Sequence, residues 1–130
     1  MLLKLNETSM NTTKLSEMDQ IRFQELKNLN PQMSDQAIGT RMAIQEGIAE
    51  VIDANPSITK LDQFTEELWN TLQHAILRWV SNNLPDILEA VKNAVIVVWD
   101  KITDWFANGG LTETLERFWA WLTDVILDSY

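Results

Sequence analysis

The chain has 130 residues, no cysteine and one histidine, and its 10 basic and 19 acidic side chains leave a net charge of −9. One domain of that length buries roughly two-thirds of its unfolded surface, enough for a real core. The missing thiols exclude a disulfide framework and a thiolate zinc site, and the acidic balance repels nucleic acid and anionic lipid.

The opening MLLKLNETSM holds too short an apolar run for a secretory signal. No stretch approaches the ~18 apolar residues of a membrane span, which predicts a cytoplasmic protein. All five methionines lie in the first 42 residues and all six tryptophans between Trp69 and Trp121. That shift predicts a flexible lead-in over 1–12, then a single helical domain over 13–130 with a rigid aromatic core.

Thr13 to Leu29 places Leu15, Met18, Phe23, Leu26 and Leu29 near one helical face, and Asn30-Pro31 stops it. Ser34 caps a second helix to about Asp53, with Ile38, Met42, Ile48 and Ile52 inward and Asn55-Pro56 as its end. In this helix Gly39, Ala43 and Gly47 recur four residues apart. Each mid-helix glycine costs about 1 kcal/mol against alanine, so the row serves close approach of another backbone. A tight internal crossing is the first explanation, and a docking groove or a detachable helix the second.

Thr59 to Ser81 makes the third helix, opened by Thr59-Lys60-Leu61-Asp62 in the manner of a capping box with aspartate for glutamate. Leu61, Phe64, Leu68, Leu72, Ala75 and Trp79 form its inner face, with Trp69, Ile76 and Val80 beside them. The fourth runs over about 85–108, with Pro85 in its first turn, Asn83 as cap, and Ile87, Val91, Ala94, Val95, Val98, Ile102 and Trp105 on one face. Its Ala94–Trp99 run is apolar all round, which predicts burial at the centre of the molecule. The fifth spans Thr112 to about Asp128, with Leu115, Phe118, Trp119, Leu122, Val125 and Ile126 inward. The joint after Trp79 echoes the joint after Trp105: an aromatic, an asparagine stop, a leucine, then acidic residues. Joints this short turn neighbouring helices antiparallel, so the expected fold is all-α, a compact antiparallel bundle of about five helices around a hydrophobic central one.

A catalytic constellation is hard to assemble. His74 falls on the polar side of its helix, and no second histidine or cysteine shares a metal with it. Glu46/Glu50 and Asp100/Asp104 are paired carboxylates of the kind that an acidic surface simply solvates. No phosphate loop or nucleophile motif is present, so no catalytic, cofactor or metal residue is assigned.

Trp121 points away from Leu115, Leu122 and Ile126, toward Arg117, which could stack on it. Outward tryptophans are enriched in binding hot spots, and Leu77 and Leu127 also leave their core faces. The expected function is a non-catalytic interaction module, an adaptor, inhibitor or assembly subunit. It would bind a protein partner or its own copies through helices two and five, with Trp121, Leu77, Leu127, Arg117, Gly39, Ala43 and Gly47 as contacts. Insertion of the fourth and fifth helices into a bilayer is the alternative. Those helices carry Lys92, Lys101 and Arg117 against eight acidic residues, so insertion would need low pH.

Trp99–Gly110, WDKITDWFANGG, resembles the Trp…Arg-hydrophobic…Phe-Phe…Gly-Gly motif of the helical apoptosis regulators of the B-cell-lymphoma type, over 12 of the 130 residues. That family opens its central helix with the motif, whereas the periodicity here puts Trp99 well inside one. The Leu-x-x-x-Gly-Asp signature is also missing upstream. A helix ending in Asn-Gly-Gly explains the match more simply.

Overall fold

In the computed structural model, which describes residues 10–128, six α-helices pack together: α1 Glu17–Leu29, α2 Asp35–Ala54, α3 Glu66–Asn83, α4 Leu88–Val95, α5 Val98–Ala107 and α6 Leu115–Asp128. Single 3₁₀ turns, Leu61–Gln63, Pro85–Ile87 and Gly110–Thr112, lead into α3, α4 and α6. Of the expected lead-in, residues 1–9 lie outside the described ones. Met10 packs beside Gly39, and the Asn11 backbone N–H donates to Asp86 Oδ2 at 3.2 Å.

Capping side chains mark most helix ends. A helix leaves its first N–H and last C=O groups without internal partners. Ser16, Ser34, Thr65 and Thr114 accept from the backbone N–H three residues on, at 3.1, 3.1, 3.1 and 3.2 Å, and so open α1, α2, α3 and α6. At the other ends an asparagine side chain donates back to the carbonyl four residues earlier. Asn30, Asn55, Asn83 and Asn108 reach the carbonyls of Leu26, Val51, Trp79 and Asp104 at 3.0, 2.9, 2.9 and 2.7 Å. Asn83 therefore closes α3 and does not cap the next helix. The expected Thr59–Asp62 box is also replaced, because Gln63 Oε1 accepts from both Thr59 N and Lys60 N.

The repeated joint is a proline joint. Asn30, Asn55 and Leu84, each before a proline, share φ between −138 and −130° and ψ between 61 and 65°. The proline ring excludes the helical region for the residue before it. Each carbonyl then accepts from the N–H three residues on, of Met33, Ile58 and Ile87. The joint after α5 differs, since Gly109 sits at φ 96°, which glycine adopts without strain. The echo seen in the sequence therefore joins two different turns.

The expected helix over 85–108 is two helices. It breaks at Ile96-Val97, inside four consecutive β-branched residues, Val95 to Val98, each of which loses side-chain freedom in a helix. Val91, Ala94, Val95, Val98 and Ile102 are buried as the period requires. Ile96 and Val97, at 74% and 48% exposed, are not, which corrects the reading of a segment wrapped on every side. The centre belongs to α2, which packs on α1, α3 and α6 and on the Pro85 turn. Its Gly39/Ala43/Gly47 row is buried. A Cβ on Gly39 would lie 2.8 Å from Leu84 Cδ1, and one on Gly47 2.7 Å from Ile76 Cγ1. The row is a tight internal crossing, of α2 with α3 and the turn that follows it, and has no open face for docking.

Two faces differ from the period. Met18 and Leu29, expected inward, stand 79% and 78% exposed with Ile21 at 61%, while Phe23 and Leu26, with Leu15 just before the cap, turn α1 toward the core. Ile52 of α2 is likewise exposed.

Candidate functional site

Arg41, Gln45, Ile48 and Ile52 follow one another by four, three and four residues, a stripe on α2 beside its core face. Opposite them run Trp119, Ala120, Thr123 and Asp124 of α6, and the two stripes wall an open furrow of about 580 Å³. At its far end Ile52 and Trp119 also line a cleft of about 340 Å³ with Ile58, Leu68 and Leu115. Both volumes fall within the range of binding pockets. The two recesses adjoin at Ile52 and Trp119, and of the largely apolar channel they make together Arg41 and Asp124 line the furrow and Glu116 the cleft.

An aromatic cluster holds one wall in place. Phe118 is buried between Phe64 (4.8 Å between ring centroids), Trp119 (5.1 Å), Phe106 and Trp105 (5.7 Å each) and Trp121 (5.9 Å). Trp119 meets Phe64 edge-on at 5.9 Å and 76°, a preferred aromatic geometry that turns its outer side to the furrow.

Arg41 carries the site's polar character. Its Nε is buried and meets no hydrogen-bond acceptor among the described residues. A buried donor left unpaired costs about 1–3 kcal/mol, more when charged. The other arginines have partners. Arg22 donates to Gln45, Arg78 to Glu50, and Arg117 to Glu113 at 2.8 Å. The hydrogen bonds and the charges of Glu50 and Glu113 raise the Arg78 and Arg117 pKa above the ordinary arginine value.

The expected contacts fall elsewhere. Trp121 is half-buried and stacks on Trp105 at 4.8 Å and 17°, so its ring belongs to the aromatic cluster. Arg117 pairs with Glu113. Both line a shallow recess with Gly110 that includes neither Leu77 nor Leu127, two half-buried residues. Helices two and five of the expected interface do enclose the furrow, as α2 and α6, but through other residues. Arg41, Ile48, Ile52 and Trp119 escape a sequence reading because Ile48, Ile52 and Trp119 fit a core face as well as a rim. A second stripe on α2, beginning with an arginine, is the available signal.

His74 is exposed, and among the described residues no group of three or more histidine, aspartate or glutamate side chains is placed to hold a metal ion. Among the same residues no helix is long and apolar enough to cross a membrane. The channel can hold an apolar segment and offer one guanidinium to an acceptor. Fold and channel together define an all-α bundle with an open interhelical recess. No family model matches the chain, and no curated protein or solved structure matches it. Trp99 stands in the first turn of α5, nearer to the apoptosis-regulator arrangement than the period implies, but the likeness stays confined to those 12 residues.

Proposed function

We propose that this chain is a non-catalytic interaction module whose α2–α6 channel receives an apolar protein segment. The observation that supports it is the pairing, in one open channel, of exposed or half-exposed Ile48, Ile52 and Trp119 with an arginine whose Nε has no acceptor among the described residues. A partner carboxylate would pair with the charge of half-buried Arg41, which has no ion-pair partner among the described residues, and the isoleucine and tryptophan surface would lose its water. The polar neighbours, Gln45 and Thr123, suit a rim.

Photo-cross-linking in the native host tests this. A benzoylphenylalanine at Ala49 or Ala120, both exposed and both lining the furrow, should yield a discrete protein adduct, and one at exposed His74 should not. Equal labelling at all three positions, or no adduct from either furrow position, would remove the proposal.

A second reading, membrane contact at low pH, draws on Ile96 and Val97, exposed side by side at the α4–α5 break. Such contact lies in the membrane interface, where the negative charges of the neighbouring Asp100 and Asp104 oppose approach to lipid. Dye release from anionic vesicles is expected at about pH 3.5, where most carboxylates lose their charge, and not at pH 7. Absence of release at both, or equal release at both, ends this reading.

A further inference from the structure

We infer that the occupant of the channel is α1 of a second copy of this chain; the inference rests on the binding role proposed above. The outer side of α1 carries Met18, Ile21 and Leu29, exposed in line with Glu25. This face cannot reach the channel of its own molecule. α1 is fixed against its own α2 by Arg22 on Gln45 and by Lys27 on Asp35 at 3.1 Å, with Phe23 turned into the core. A second molecule can bring it there.

Length and charge support that occupant. From Met18 to Leu29 and from Arg41 to Ile52 the chain advances by the same number of residues, about 16 Å of helix in each case. Laid antiparallel, Met18 falls over Ile52, Ile21 over Ala49 beside Ile48, and Leu29 over the aliphatic stem of Arg41. Glu25 then falls over Gln45, one turn from Arg41. Among the described residues neither Glu25 nor Arg41 has an ion-pair partner within 4.0 Å, and Asp124, which faces Arg41 from α6, is also beyond that distance. Laid parallel, Glu25 would instead cover Ile48, a buried carboxylate against an apolar wall. Charge therefore selects the antiparallel arrangement. Because Arg22 on Gln45 places α1 at the rim of its own furrow, two copies can exchange these faces about a two-fold axis, which closes the assembly at a dimer.

Sedimentation of the full chain over a range of concentrations tests the inference, with circular-dichroism melting to show that each variant is folded. The wild type is expected to dimerise, giving twice the 15.0 kDa chain mass. Glu25→Arg and Arg41→Glu should each weaken the dimer at least about tenfold, and the double variant should regain most of that loss, as a facing charge pair requires. Met18→Glu, at a largely solvated position, should abolish it without shifting the melt. A wild type that stays monomeric, or a dimer indifferent to all these changes, overturns the inference. The cross-linking separates the two levels. A furrow adduct with a different protein removes the second copy and leaves the binding role standing, whereas absence of any adduct removes both.

Discussion

Phe118→Ala should lower the unfolding free energy by about 4 kcal/mol, in the range measured for phenylalanine truncation in protein cores. Phe118 is fully buried and has five aromatic neighbours, Phe64, Trp105, Phe106, Trp119 and Trp121, so the space it leaves has no flexible aliphatic chain on those sides to fill it. Planar rings packed against one another relax poorly into a void, and the cost of a cavity grows with the volume that stays empty. Against a total stability of about 5–15 kcal/mol, the loss corresponds to a melting shift of roughly 15 °C. Trp121→Ala should cost less, about 1–2 kcal/mol, because its ring is half-buried and loses chiefly the stack on Trp105. Urea unfolding followed by tryptophan fluorescence measures both. Equal effects, or a Phe118→Ala change below about 1 kcal/mol, would show that the cluster is a surface feature and not the wall that positions Trp119.

The parts of this fold that can be read before any coordinates are those where one local rule acts without a rival. Ser34 and the proline stops are local signals, and they sit at helix ends as expected. The inner faces of α3 and α6 follow a single apolar stripe each. Periodicity fails where a helix carries apolar residues on two sides. In α1 and the residues that lead into it a period-based count cannot distinguish Leu15, Phe23 and Leu26, which meet the core, from Met18, Ile21 and Leu29, which meet water, because both sets recur near helical spacing. At Ile96-Val97 composition argues for burial, yet no neighbouring element covers that side, and only the packed partners decide such a question. Thr59 and Asp62 resemble a cap, but Gln63 next door offers a longer side chain that reaches both free N–H groups.

The candidate site shows the same division. That α2 and α6 could share a surface is legible, because each carries its own apolar stripe and the short joints set the helices antiparallel. Which residues line the channel is not, because the direction of a side chain near the boundary of a face depends on the neighbour's position. Trp121 lies about 100° round the helix from buried Leu122, which puts it outside the core stripe by period alone. Its half-buried place is settled by Trp105, which stacks on it across the α5–α6 joint. Arg41 is legible only as the start of the second stripe on α2, since an arginine without a partner is visible only when every candidate acceptor has been located.

Gly47→Leu should destabilise the chain by about 3 kcal/mol, at the upper end of the usual cost of overpacking a core. Removing a mid-helix glycine by itself favours the helix by up to about 1 kcal/mol, so a purely local view predicts the opposite sign. Packing decides between them. A Cβ at Gly47 would stand 2.7 Å from Ile76 Cγ1, 3.3 Å from the Ile76 backbone nitrogen and 3.3 Å from Leu72 Cδ1. Cγ1 of a β-branched side chain has little freedom to retreat, and the backbone nitrogen belongs to the middle of α3. A leucine there must push α2 and α3 apart along the crossing that holds the bundle together. Gly47→Ala separates the two effects, since it adds the helix preference with the smallest side chain, and it should destabilise by less than the leucine does. Thermal melting of the three chains gives the order glycine, alanine, leucine from most to least stable. A leucine variant as stable as the wild type would mean that α2 can move off α3 at little cost, and the row would then be a detachable surface and not a closed crossing.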